Sequence, residues 1–130
     1  DDLSVYGNGS HTRTFCYISD AIEAFFKTLL SEHDGEPFNI GTDKDEISIK
    51  NLASLMCSLY PTEVTIKYIS GINDAYSDAD PKRRCPDLSK ARKLLQYDPH
   101  VTLEVGLKRF MKWAQAIYLK TQELSTCDAI

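Results

Sequence analysis

Two arginines far apart in the sequence, Arg13 and Arg84, are the residues of this chain best suited to chemistry. Arg13 follows Tyr6-Gly7-Asn8-Gly9, whose glycines accept positive φ and let the chain reverse. Arg84 closes Lys82-Arg83-Arg84, the one strongly basic spot on a chain of formal net charge −4. Cys85 precedes Pro86 and is biased to extended structure, so Arg84 lies on an extended approach to a helix capped by Asp87. A guanidinium fixed beside a turn or a cap can hold an anion through its planar fork, a two-oxygen contact that lysine does not reproduce. Read alone, Arg13 is equally a surface arginine of an ordinary β-hairpin, and the basic run is equally solvated charge. Asn39, between Phe38 and Ile40, is a third candidate. If buried, it must bond either nearby backbone or a ligand.

Other chemistries find no support. His11, His33 and His100 lack metal-ligand spacing. Cys16, Cys57, Cys85 and Cys127 are widely spaced, form no Cys-x-x-Cys pair, and read as reduced structural thiols. Gly7-Asn8-Gly9 lacks a third glycine and leads towards a strand, so it is no dinucleotide fingerprint. No tyrosine has a lysine four residues on.

The elements that must position these residues follow from periodicity. A short strand is expected at 3–6 and a second, rich in Thr, Phe, Tyr and Ile, at 13–18. Asp20 and Glu23 suggest a capping box for a helix over 21–31, with Ile22, Phe25, Phe26, Leu29 and Leu30 on its buried face. Phe38-Asn39-Ile40 reads as a short strand closed by Gly41, and 42–46 as a solvated acidic loop. Ser48 caps a second helix, which Pro61 stops, and 65–69 alternates like an edge strand. A long loop over 70–81, a helix over 88–96, and a last helix capped by Thr102 complete the chain.

With 42% hydrophobic residues and 130 in all, the chain should form one domain, or a piece of one, with a modest core. A pI near 5.3 argues against nucleic-acid binding. No apolar run is long enough for a membrane helix, and 1–4 do not read as a signal peptide. The first residue is not Met, which suggests an excised fragment.

The ordered set Val5-Tyr6-Gly7-Asn8-Gly9, Thr12-Arg13-Thr14-Phe15-Cys16-Tyr17-Ile18-Ser19-Asp20, Phe38-Asn39-Ile40-Gly41, Arg84-Cys85-Pro86-Asp87-Leu88-Ser89-Lys90-Ala91 and Leu103-Glu104-Val105-Gly106-Leu107 resembles a known family. It is similar to the C-terminal, substrate-binding part of the extended short-chain dehydrogenase/reductases, the NAD-dependent epimerase/dehydratase family. Within that family it looks most like the UDP-glucuronate decarboxylases, then the dTDP-glucose 4,6-dehydratases and the 4-epimerases. Cys85 and Ala79 depart from the decarboxylase pattern, which commonly has a basic residue and an aspartate there.

The resemblance implies an α/β fold: a small mixed domain of about four helices and short strands, the C-terminal portion of an extended Rossmann-type enzyme. It implies a nucleotide-sugar-binding domain over 1–120 and a frayed tail over 121–130. Arg13 and Arg84 would reach the phosphates or the adjoining sugar, Asn39 would touch the nucleotide, and Tyr6 would help line the base pocket. The implied partner is a UDP- or dTDP-linked sugar. NAD and the catalytic tyrosine and lysine would belong to an N-terminal Rossmann domain outside this chain, so this chain alone is expected to be inactive. The implied parent is a cytoplasmic, homo-oligomeric lyase or isomerase. The competing expectation is a free-standing binding or assembly module of the same fold, and upstream coding sequence separates the two.

Overall fold

The computed structural model describes residues 2–60, 62–70 and 81–127, with side chains as far as Tyr118. Its elements run β1 (Asp2–Tyr6), β2 (Thr12–Arg13), α1 (Ile18–Leu29), β3 (Ile47–Ser48), α2 (Ile49–Leu59), β4 (Thr65–Ile69), β5 (Arg83–Arg84), α3 (Ser89–Leu95) and α4 (Leu103–Cys127). This is a mixed α/β fold, with four helices among the described residues, as expected. Most of the loop expected over 70–81 lies outside the described residues. The helical backbone of α4 continues through the tail expected to fray, as far as Cys127.

The glycine turn does not make a hairpin. β1 pairs in parallel with β4, from Asp2↔Thr65 to Tyr6↔Ile69, and β2 joins a separate three-stranded sheet of order β3-β2-β5. Gly7 and Gly9 do take φ of 66° and 63°. They turn the chain onto the start of α2, where Lys50 N–H donates to the Gly9 carbonyl and Ile49 N–H to that of His11, each at 3.0 Å. A Cβ on Gly9 would stand 2.9 Å from the Lys50 nitrogen, so only glycine fits this approach. Ser48 Oγ caps α2 by accepting from Asn51 N–H at 3.3 Å, as the sequence predicts.

α1 corrects three expectations. It starts at Ile18, so the strand read over 13–18 is confined to Thr12–Arg13. Asp20 lies inside the helix rather than capping it. Its carboxylate is 1% exposed and accepts from the backbone N–H of His100 at 3.0 Å and of Val101 at 2.9 Å. It therefore ties α1 to the segment between α3 and α4. The buried face of α1 is that of Asp20 and Ala24; Ala24 packs with Leu88, Ala91, Leu95 and Tyr97 in the core. The broad apolar face expected to be buried is open: Ile22, Phe25, Phe26, Leu29 and Leu30 are all exposed. No described element covers it.

Bare apolar patches of this kind drive association. The 130-residue chain is expected to self-associate through α1, with Phe25→Glu reducing the association. Sedimentation velocity over a concentration series checks this; a strictly monomeric species at the highest concentration contradicts it.

α3 is locked at both ends. Asp87 Oδ1 accepts from Ser89 N–H at 2.8 Å, and Gln96 ends the helix in the left-handed region at φ 51°. Lys27 Nζ of α1 donates to the Gln96 carbonyl at 2.6 Å. Arg92 makes a two-pronged contact with Asp43, at 2.6 and 2.7 Å, and also donates to Asp98. Thr102 Oγ1 accepts from Val105 N–H at 3.5 Å at the start of α4, again as expected.

Candidate functional site

Two-residue strands bring the paired arginines together. β2 and β5 run parallel in the register Thr12↔Arg83 and Arg13↔Arg84. Residues paired in register project to the same face of a sheet, and adjacent strands lie only about 4.8 Å apart. Arg13 and Arg84 are thus neighbours, although 71 positions separate them in the sequence. The ladder is completed by Thr12 N–H to the Lys82 carbonyl at 2.9 Å and Thr14 N–H to the Arg84 carbonyl at 3.3 Å. Arg13 is also steadied by its own backbone, Nη1 donating to the Thr12 carbonyl at 2.7 Å. Like charges directly across a ladder repel one another. A dianionic group gains from both forks.

The alternating residues Thr12 and Arg83 belong to the other face. There Arg83 donates to Glu46, Nε at 2.9 Å to Oε1 and Nη2 at 2.7 Å to Oε2, and Thr12 Oγ1 donates to Oε1 at 2.6 Å. Of the three clustered cations, Arg83 is therefore committed to a carboxylate. The acidic stretch 42–46, read from sequence as solvated surface, contributes this contact and the Asp43 contact to Arg92.

Asn39 lies on a loop rather than a strand, and it is exposed. Its Nδ2 donates to the Asp87 carbonyl at 3.1 Å. The same loop is held to α3 by Lys90, which bonds Glu36 and the Pro37 carbonyl and sits over the Phe38 ring. Behind it, the fully buried Tyr97 donates from its hydroxyl to the Gly41 carbonyl at 2.7 Å. Burial pushes the Tyr97 phenol and the neighbouring Cys16 thiol up. Asn39 thus satisfies nearby backbone, one of its two sequence readings, while its segment adjoins the stretch that carries Arg84. Tyr6 stands apart at the end of β1, 64% exposed. The structure brings Arg13 and Arg84 together, sets Asn39 beside Asp87, and leaves Tyr6 on the other sheet.

A cavity of about 460 Å³ lies elsewhere, between β1, α2 and α4, lined by Leu3, Met56, Cys57, Phe110, Met111 and Tyr118 among others. None of the four candidates lines it, and among the described residues its lining includes no arginine or lysine to meet a phosphate. The Gly7–Gly9 turn does not suit a dinucleotide either. It leads into β2, and the space beside Gly9 is filled by the first turn of α2.

Several carboxylates of this region are held below their usual range. Arg83 and then Thr12 lower Glu46, Arg92 lowers Asp43, and Lys44 with Arg92 lowers Asp98. A depressed carboxylate contributes stability above its unfolded pKa of about 4 and loses it as pH falls through the lower folded value. The melting temperature is expected to be level in these terms from about pH 5 to 7 and to fall below about pH 4. Thermal melts across that range check this; a decline already beginning at pH 6 contradicts it.

Residues 1–110 match the family described as GDP-mannose 4,6 dehydratase. The chain belongs to that family. The extended dehydrogenase/reductase resemblance read from the motifs is thereby borne out. This GDP-mannose 4,6-dehydratase family chain is 36% identical over 120 residues to the UDP-N-acetyl-alpha-D-glucosaminuronate decarboxylase of Bacillus cytotoxicus, covering 90% of this chain and 36% of that protein. It is 32% identical over 130 residues to UDP-glucuronic acid decarboxylase 2 of Arabidopsis thaliana, covering 99% of this chain and 28% of that protein. Among solved structures it matches the UDP-glucuronic acid 4-epimerase of Bacillus cereus in complex with UDP-glucuronic acid and NAD, with a TM-score of 0.70 at 33% identity. That match covers 82% of this chain and 33% of the epimerase. The chain spans only 36% and 28% of the two curated relatives.

Proposed function

We propose that this chain grips the diphosphate of a nucleotide sugar for an NAD-dependent enzyme of the decarboxylase, epimerase and dehydratase group, with a UDP-glucuronate decarboxylase activity. Arg13 and Arg84 hold the phosphate oxygens. The family resemblance assigns Asn39 and Tyr6 to the nucleotide, although Asn39 here bonds the Asp87 carbonyl and Tyr6 lies on the other sheet. The observation that carries the reading is the in-register pair Arg13↔Arg84. A diphosphate offers two anionic phosphoryl groups, each with a pair of oxygens that a guanidinium fork can bond, and two adjacent forks match them. Family membership supplies the context, since several relatives are named for UDP-linked uronic acids.

NAD chemistry is assigned to a dinucleotide-binding portion beyond these residues, in keeping with the share of the relatives that this chain spans. Bound there, the cofactor would supply reversible hydride chemistry at the sugar C4, taking up the hydride whose removal lets a neighbouring carboxylate leave as carbon dioxide and returning it to give the product. The chain's own residues hold and orient the substrate.

The product of the complete reading frame, given UDP-glucuronate and NAD, is expected to release carbon dioxide and leave a UDP-pentose, read by mass spectrometry. Turnover of UDP-glucuronate without loss of carbon dioxide would reassign it as an epimerase or dehydratase. Absence of turnover on UDP- and dTDP-sugars alike would favour a free-standing binding module. The 130-residue chain by itself is expected to form no reduced cofactor and to show no NAD-induced melting shift; either signal contradicts the division of labour.

A further inference from the structure

We infer that Glu46 is a positioning residue: it sets the β2–β5 register and so decides that Arg84, not Arg83, stands beside Arg13. Its binding consequence rests on the diphosphate reading above; its structural consequence does not.

The β2–β5 ladder is two residues long on each strand, too short to specify its own register strongly. Three cations in a row, Lys82, Arg83 and Arg84, offer several near-equivalent ways to pair. A slip of one residue would bring Arg83 across from Arg13 and turn Arg84 to the opposite face. One carboxylate removes that ambiguity. Glu46 immediately precedes β3, the strand on the far side of β2 in the order β3-β2-β5. From there it reaches across β2 to β5. Its Oε1 receives Thr12 Oγ1 and Arg83 Nε, and its Oε2 receives Arg83 Nη2. Thr12 and Arg83 are register partners, so Glu46 clasps the two residues whose alignment fixes the ladder. The fork geometry is met only in the observed register, and the arginine pair is its consequence on the other face.

Glu46→Ala and the milder Glu46→Gln test this in the complete protein. Amide exchange is the first readout. In Glu46→Ala, the Thr12 and Thr14 amides, which bond β5, should exchange more than tenfold faster, while α3 amides keep their protection. Glu46→Gln, retaining one oxygen acceptor, should fall between. UDP titration is the second readout. Glu46→Ala should weaken binding about threefold to tenfold, the scale of coupling within one hydrogen-bonded network. In that background Arg84→Ala should lose part of its own effect, by up to the factor that Glu46→Ala itself costs. Unchanged protection of Thr12 and Thr14 overturns the inference, as does uniform loss of protection, which would make Glu46 a general stabiliser. Additive effects of Glu46→Ala and Arg84→Ala on UDP overturn the binding consequence. Selective deprotection in a protein whose UDP affinity ignores Arg13→Ala and Arg84→Ala upholds the register role and instead refutes the diphosphate reading.

Discussion

Arg84→Ala and Arg13→Ala should each weaken UDP binding to the complete protein by ~1.5–3 kcal/mol, the range for a hydrogen bond to a charged group. That is roughly tenfold to a hundredfold in Kd. The two lie in register on adjacent strands, so they should share the ligand, and their double variant should lose less than the sum. Lysine at either position should recover only part, since an ammonium is a point charge and cannot reproduce the fork. Arg83→Ala is the internal control. Its guanidinium is bound to Glu46 on the opposite face, so its loss should act only through the ladder register, costing no more than Glu46→Ala and less than Arg84→Ala. Isothermal titration of the six variants checks the set. Equal damage from Arg83→Ala and Arg84→Ala would mean that the wrong arginine has been assigned.

The second large effect is on stability. Asp20→Ala should destabilise the fold by about 2–4 kcal/mol, because two part-buried backbone donors, at His100 and Val101, lose their buried acceptor. Alanine is the better helix former, but that gain is a fraction of a kcal/mol and does not offset the loss. Asp20→Asn keeps a neutral oxygen acceptor and should recover part of it. For a domain of this size the alanine variant should melt roughly 6–16 °C lower. Circular dichroism melts measure it; a drop of under about 2 °C would show that these amides find other partners.

Parts of this fold were legible because their signals are local. Ser48 and Thr102 cap the helices they were expected to cap, and the alternation at 65–69 marks a real strand at a sheet edge. Gly7 and Gly9 take the positive φ that their lack of a Cβ allows. What failed depends on contacts between distant residues. Asp20 and Glu23 carry the pattern of a capping box, yet the same aspartate is a buried acceptor for a segment some 80 positions on. No local pattern separates the two roles. The apolar stripe of α1 has helical period, as expected, but period does not say whether a partner is present to cover it.

The site divides the same way. The arginine types and their neighbouring turn and cap could be read from the chain, whereas β2 and β5, at two residues each, lie below the length at which alternation is detectable. Their register, and with it the adjacency of Arg13 and Arg84, appears only in three dimensions. Glu46 was read as part of a solvated acidic loop because its partner lies 37 positions away. The available hint was chemical: a run of three cations calls for a nearby carboxylate, and 42–46 supplies several.

Joint contact of Arg13 and Arg84 with the diphosphate is measured most directly by the arginine Nε–H resonances of the complete protein during titration with UDP, each assigned by substitution. Arg13 and Arg84 should shift together along one binding curve, while Arg83 stays where Glu46 holds it, and uridine without phosphate should move neither. A shift at Arg83 or Arg92 with Arg13 and Arg84 unmoved, or an equal response to uridine, would contradict the account.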